Sequence, residues 1–464
     1  MSKKAKSKTK TRTKTRAKTG KAKTPKREWD AYLRRHPGTR YLDAFVCDLS
    51  CVMRGKRFPV HAAGKVFDGG MMLPGSSFLL SASGESHDPE GMGFSDGDPD
   101  EVARPIEGAL APAPWAREPS AQVMLTLGGL DGAPYYFEPR NVLARVLARF
   151  AELRLRPVVA FELEFYLLDA AQGAAAASKG AHETQVYSID QVEECAAYLH
   201  EVMETCARQG IATGAISAEY APGQFEINLP HTDAPLAAAD QCVLFRRAVQ
   251  CVARKHGMRA TFMAKPRADS SGSGLHLHIS MLDKRGRNIF DGGDDPRSAP
   301  APLLHALGGL LKLLPESMAV LAPNINSYRR FRPDIYVPVS PSWGFENRSV
   351  ALRIPKSAGA SRRIEHRVAG ADANPYLALA ALLAGIHHGL AARIDPGEPA
   401  RGNAGARLDP SLPFEPEAAF AACRGAPVLS EYFGARYLRA YAGCKLNEYR
   451  AFVKSGRGET DWYL

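Results

Sequence analysis

The stretch Ala160-Phe161-Glu162-Leu163-Glu164-Phe165-Tyr166-Leu167-Leu168, AFELEFYLL, decides how this chain is read. It is apolar and aromatic-rich and has no Gly or Pro, which predicts a buried β-strand. Two carboxylates interrupt it at i and i+2. In a strand, Glu162 and Glu164 then share one face, and Phe161, Leu163 and Phe165 share the other. Two like charges in a dry place repel, and each is costly to desolvate. Something must neutralise them.

Other segments repeat the pattern. AEYAPGQFEINLP sets Glu219 and Glu226 around a Pro-Gly turn, and SRRIEHRVAG sets Glu365 between Ile364 and His366. SGSGLHLHIS carries His276 and His278, again two apart and so on one strand face. Singly, each has an ordinary explanation: a strand Glu is usually solvated and a His is usually a satisfied core residue. Together they predict carboxylates and a histidine lining one cavity, with cations between them. Oxygen donors with at most one imidazole per ion favour Mg²⁺ or Mn²⁺ over zinc.

Arginines follow in the same half of the chain. NSYRRFRPDIYVPVSPSWGFENRSVALRIP supplies Arg329, Arg330, Arg332, Arg348 and Arg353, and RRIEHR adds Arg362, Arg363 and Arg367. Arg329 and Arg362 are expected in surface ion pairs. The rest suit an anionic substrate, because a guanidinium clamps carboxylate and phosphate in bidentate fashion. Two metals with arginines equip a site for phosphoryl transfer. GxxxxGK[ST] and GxGxxG are both absent, which argues against a P-loop or Rossmann nucleotide site.

The bulk composition bounds the rest. A chain of 464 residues, 45% hydrophobic, can bury a sizeable core and predicts two to four domains. No apolar run reads as long enough for a membrane span, the longest candidate being LALAALLAG after Tyr376. The N-terminus has no apolar signal region, so a cytoplasmic protein is expected. The eight cysteines are scattered, Cys47 and Cys51 are the nearest pair, and reduced buried thiols are expected. The net charge of +11 misleads, because residues 1–27 hold ten Lys, three Arg and no acid. The remainder carries 47 bases against 49 acids. A basic tail over 1–28 is expected to be disordered and solvated, with nucleic-acid tethering a minor alternative.

The pattern along the chain predicts a small β-rich domain over 29–137 and a larger α+β domain over 138–464. YLDAFVCDLSCVMRGKRFPV reads as strand, turn and strand, and AQVMLTL as a further strand. PRNVLARVLARFAELRL, QVEECAAYLHEVMETCARQG and NPYLALAALLAGIHHGLAARI read as helices.

The blocks FELEF, EYAPGQFEINL, KPRADSSGSGLHLHIS, NSYRRF, NRSVALRIP, RRIEHR and ANPYLALAALLAG occur in one order. In that order the chain resembles the glutamine synthetase superfamily over nearly all its length after about residue 30. The resemblance implies an N-terminal β-grasp domain, a C-terminal catalytic domain and a dodecamer of two hexameric rings with active sites between subunits. It implies one metal on Glu164, Glu219 and Glu226 and a second on Glu162, His276 and Glu365. It implies ATP contacts at His278, Ser280, Arg348 and Arg353, glutamate contacts at Gly272, Arg330 and Arg367, and catalytic roles for Arg330 and Arg348. The implied chemistry is phosphorylation of the γ-carboxylate of glutamate by ATP, then displacement of phosphate by an amine.

The resemblance also bears on which amine. Glutamine-forming members carry a Glu in the flap after the NSYRR block, and Tyr336 stands there in this chain. Ser271 replaces their Asn, FDGGMMLPGSSFLLSASGES has no clear Asp match after the PGSS turn, and no adenylylation tyrosine segment is recognisable. RGKRFPV, APWAREPSAQVMLTL and the C-terminal CKLNEYRAFVKSGRGETDWYL resemble the γ-glutamylpolyamine synthetase branch. A glutamate–amine ligase acting on putrescine or another amine is expected, with Tyr336 at the amine site. Glutamine synthesis from ammonia is the alternative, with Asp334 as the substitute carboxylate, and a catalytically idle interaction protein is the reading from another class.

Overall fold

The computed structural model describes residues 25–169, 186–295, 297–357 and 359–458. The expected basic tail lies outside them up to residue 24, and residues 25–28 form the first turn of a helix instead.

That helix, α1 (Pro25–Arg35), turns Trp29 and Tyr32 inward. A six-stranded sheet follows, built from β1 (Tyr41–Cys47), β2 (Met53–Pro59), β3 (Met71–Pro74), β4 (Asp100–Pro105), β5 (Ala111–Pro112) and β6 (Ser120–Gly128). Their order is β2-β1-β6-β4-β3, with β5 also on β6, and only β1 and β6 run parallel. Helix α2 (Val60–Asp68) crosses between β2 and β3. Strand alternation divides the side chains between two cores. Leu42, Ala44, Val46, Val123 and Leu125 meet Trp29 and Phe67 beneath the two helices. Phe45, Cys47 and Met124 point the other way, into the core of the rest of the chain. This mixed sheet with helices on one face is the expected β-grasp arrangement.

The second sheet has eight strands: β7 (Arg156–Asp169), β8 (Ile216–Ala218), β9 (Gln224–Thr232), β10 (Met258–Thr261), β11 (Leu275–Leu282), β12 (Trp343–Phe345), β13 (Leu352–Ile354) and β14 (Ile364–His366). They order as β12-β13-β14-β11-β7-β9-β8, with β10 on β7. One face is apolar throughout. Phe161, Leu163, Phe165, Phe225, Ile227, Leu275, Leu277 and Ile279 all lie in the main core. Burying each large side chain of this kind contributes about 1.5–3 kcal/mol.

Helices cover that face and complete the α+β fold. They are α3 (Pro139–Glu152), α4 (Ile189–Glu194), α5 (Ala196–Arg208), α6 (Pro235–Lys255), α7 (Ala301–Leu321), α8 (Pro375–Ala392), α9 (Pro416–Arg424), α10 (Leu429–Phe433) and α11 (Ala435–Ser455). The single helix expected from QVEECAAYLHEVMETCARQG is two, broken at Cys195. The reading of the apolar runs also needs correction: α7 and α8 are each long and apolar enough to cross a membrane. Their apolar windows are 67% and 72% buried inside the fold, so packing against protein accounts for the composition. The two helices touch backbone to backbone, and a Cβ on Gly309 would lie 2.0 Å from the Gly385 carbonyl oxygen.

Polar ties join the first sheet to the helices that cover the second. Asn374 Nδ2 donates to the Asp48 carbonyl at 2.9 Å, Lys445 Nζ to Ser50 Oγ at 2.9 Å, and Arg247 Nη2 to Asp43 Oδ2 at 3.1 Å.

Candidate active site

The polar face of the second sheet holds the site, and strand register assembles it. Opposite one another stand Glu164 and Glu226 on β7 and β9, Glu162 and His276 on β7 and β11, His278 and Glu365 on β11 and β14, and Arg353 and Glu365 on β13 and β14. Glu162 and Glu164, and His276 and His278, sit two apart on their strands, and direct cross-strand pairing puts Glu226, Glu365 and Arg353 on the same face. Residues remote in sequence become one row of charge.

Within that row some charges are matched. His278 Nε2 lies 2.7 Å from Glu162 Oε1, and His276 Nδ1 lies 3.5 Å from Glu162 Oε2. Burial alone would raise the Glu162 carboxyl, but the two imidazoles outweigh it and hold the group well below the usual carboxylate range. Glu365 pairs with Arg353 Nη1 at 2.6 Å and with Arg367 Nη1. Burial opposes ionisation there too, yet Arg367, both histidines and Arg353 hold it at about 2. Others are unmatched. Burial and then the surrounding carboxylates push Glu226 up to about 9, and burial and Glu164 push Glu219 up to about 8.

This imbalance fits a divalent cation. Donor atoms of Glu162, Glu226 and His276 lie within 4.8 Å of one another, and so do those of Glu162, His278 and Glu365. The grouping differs from the expected partition. Glu164 stands outside both groups; its Oε2 accepts the Gly274 amide at 2.8 Å and Gln224 Nε2 at 3.4 Å, and its Oε1 lies 4.0 Å from His276 Nε2. Glu219 also stands outside them, on the loop after β8. His278, expected at the nucleotide, faces Glu162 through one nitrogen and accepts Arg363 Nε at 3.1 Å through the other. Ser280 continues the same buried strand.

Three arginines carry spare donors. Arg330, Arg353 and Arg367 are each largely buried with an Nε that has no partner among the described residues, a feature they share with Arg362. Arg330 Nη1 donates to the Val368 carbonyl at 3.0 Å. Its stem covers Gly272, where a Cβ would lie 2.7 Å from Arg330 Cγ, so this position accepts only glycine without a shift. Arg348 is exposed, and its charge draws the Glu219 carboxyl down against the larger effect of burial. Arg362 corrects its reading: it is fully buried and donates to the carbonyls of Ser298 and Asp295, so it fastens a loop. Arg332 and Arg329 line a separate basic cavity of about 420 Å³ with Lys265 and Arg457.

Some residues escaped the sequence reading. Gln224 is buried and donates to Glu164, to the Gly272 carbonyl at 3.0 Å and to Ser273 Oγ, which ties the metal face to the glycine loop. Its signal was available, since Gln224, Glu226 and Asn228 alternate on β9. His231 lies 5.9 Å from His278 ring to ring, and nothing in the local sequence distinguishes it. Tyr336 is exposed and stands 5.9 Å from the Tyr220 ring. Asp334 is not free beside it: its carboxylate accepts Asn403 Nδ2 at 2.9 Å.

The family described as glutamine synthetase, catalytic domain, matches residues 137–463. The chain belongs to the glutamine synthetase family. It is therefore an ATP-dependent carbon–nitrogen ligase, of a family whose members use ATP and a divalent metal. It is 41% identical to gamma-glutamylputrescine synthetase PuuA of Escherichia coli K12, over 94% of each chain. It is 36% identical to glutamate–isopropylamine ligase of a Pseudomonas species, over 68% of this chain and 70% of that one. Among solved structures, a GmaS/ADP complex superposes with a TM-score of 0.80 at 28% identity, covering 92% of this chain and 97% of that one.

Proposed function

We propose that this member of the family joins the γ-carboxylate of glutamate to an organic primary amine, with a diamine such as putrescine as the leading substrate. One observation carries the reading: a carboxylate face that needs cations lies beside buried arginines with spare donors. That pairing suits an anionic substrate and a phosphorylated intermediate.

In this reading Glu162, Glu164, Glu219, Glu226, His276 and Glu365, with His278 beside them, hold two Mg²⁺ or Mn²⁺ ions. When bound, the ions neutralise charge on the transferring phosphoryl group. Arg330 and the Gly272 loop hold glutamate by its carboxylate and backbone contacts. Arg348 and Arg353 face the phosphates, where positioning and charge neutralisation supply most of the rate. The γ-carboxylate oxygen attacks the terminal phosphorus of ATP and ADP leaves. The amine nitrogen then attacks the γ-carbonyl carbon of the glutamyl phosphate, inorganic phosphate leaves, and nitrogen loses a proton. Assembly into a two-ring dodecamer accompanies this proposal.

Two observations favour an organic amine over ammonia. An aromatic ring stands at position 336, and Asp334 is engaged by Asn403. Likeness to relatives named for putrescine and isopropylamine points the same way. The test is phosphate release with ATP, glutamate and Mg²⁺, comparing ammonium with putrescine, spermidine, ethanolamine and simple monoamines. Turnover with organic amines is expected to exceed that with ammonium. Turnover with ammonium alone would return the chain to glutamine synthesis.

A further inference from the structure

A group of exposed tyrosines lies at the edge of the site. Tyr187, Tyr220 and Tyr336 are exposed by 63%, 41% and 58%. Globular proteins bury most of the area of such rings, and exposed aromatics gathered together usually mark a binding surface. These three come from separate segments, yet they meet at one rim. The rings of Tyr220 and Tyr336 are 5.9 Å apart and tilted by 40°. Tyr187 donates its backbone amide to the Ala218 carbonyl at 2.9 Å, which seats it beside the Glu219–Tyr220 turn. Its φ of 62° is unusual for a bulky side chain, so tertiary contacts hold it there against local preference.

We propose that Tyr187, Tyr220 and Tyr336 form an aromatic mouth beside the carboxylate face that receives the alkyl chain and cationic end of a protonated amine. The inference rests on the ligase reading and extends it to two residues that the sequence did not single out. Tyrosine faces attract organic cations through the ring quadrupole and bury methylene groups against an apolar surface. Ammonium has no methylenes to bury, and a small bare cation needs an adjacent carboxylate. At this rim the Asp334 carboxylate accepts Asn403 Nδ2 through Oδ1. Glu219, next to Tyr220 in the chain, sets the mouth at the edge of the carboxylate face. A diamine therefore finds one end drawn towards the carboxylates and a second ammonium among the rings.

The test uses the full-length chain with Y220A, Y220F and Y336A. Steady-state rates are measured with ATP, glutamate and Mg²⁺ against putrescine, butylamine and methylamine. Removing one ring is expected to raise the putrescine KM about ten-fold. The effect should shrink towards methylamine and leave the glutamate KM in place, and Y220F should retain most of the affinity because the ring face survives. An equal rise in the glutamate KM, or Y220F as impaired as Y220A, would overturn the proposal. So would light scattering that showed the alanine variants losing subunits with the amine KM unchanged, which would make the patch a seam between copies. A parent chain that turns over no organic amine would instead defeat the ligase reading itself, and the wild-type arm reveals that separately.

Discussion

The two sheets use the same alternation to different ends. In the N-terminal sheet, one face of β1 and β6 is apolar beneath α1 and α2, and the other sets Phe45, Cys47 and Met124 against the main core beside Asp43 and Gln122, which accept hydrogen bonds from Arg57 and Arg247. In the C-terminal sheet, Phe161, Leu163 and Phe165 anchor β7 from below, while Glu162 and Glu164 face their neighbours above. The first sheet is consistent throughout. The second sets a carboxylate against a carboxylate at Glu164 and Glu226, and burial, then Glu162 and Glu164, push Glu226 up to about 9. Like charges directly opposite destabilise a sheet, so the apolar face must offset them. The difference teaches where to look for function: on the face that folding alone would not choose.

The largest expected effect tests that division. Glu162→Ala should lower the rate of phosphate release about a thousand-fold, since neutralisation of the phosphoryl group contributes several kcal/mol. Its unfolding midpoint should fall only modestly, because the loss of its pairing with His276 and His278 is offset by fewer carboxylates in a crowded row. A large loss of stability would show that Glu162 is structural.

The apolar faces should respond in the opposite way. Phe161→Ala should cost about 3–5 kcal/mol, and Leu125→Ala in the first sheet about 2–5 kcal/mol, read from denaturant unfolding. Leu125→Ala should leave the rate per folded molecule near that of the parent, and a proportionate loss of rate would break the contrast between the sheets.

A third effect follows from protons held by the unmatched acids. Folding lifts Glu219 to about 8 and Glu226 to about 9 from an ordinary 4.5. At neutral pH the cation-free protein therefore keeps protons that the unfolded chain has released. Its stability should fall as pH rises from about 4.5 through 9. A divalent cation must displace those protons, so its affinity should climb about ten- to a hundred-fold per unit from pH 6 to 8 and level off above 9. Calorimetric titration of Mg²⁺ or Mn²⁺ at several pH values checks this, and a flat profile would remove these two carboxyls from the cation site.

The smallest effect concerns the rim. Tyr336→Glu should raise the ammonium rate a few-fold relative to the amine rate, by placing a carboxylate where the ring stands. No change in the ratio of the two rates would move amine selection to other residues.

Much of this was legible because strand signals are local. The i, i+2 spacing at Glu162 and Glu164 and at His276 and His278 placed each pair on one face, and β7 and β11 bear this out. The blocks common to the family carried the arginines, and Arg330, Arg353 and Arg367 keep spare donors there. Other readings needed distant partners. Arg362 looked like a surface ion pair until its loop carbonyls came into view. The helices α7 and α8 seemed too short in apolar length until their mutual burial was visible.

By itself, then, the sequence determined that the segments around Glu162, Glu226, His276 and Glu365 are strands, which face of the first is polar, and which residue types stand ready on it. These follow from the side-chain periods of two and 3.6 and from local chemistry. Tertiary structure alone decided who meets whom. Register set Glu162 against His276, drew His278 onto Glu162, fastened Glu164 to the Gly274 amide and brought Tyr220 beside Tyr336. Such pairings join residues remote along the chain, and no local pattern records them, because one step of register would move every side chain to the opposite face.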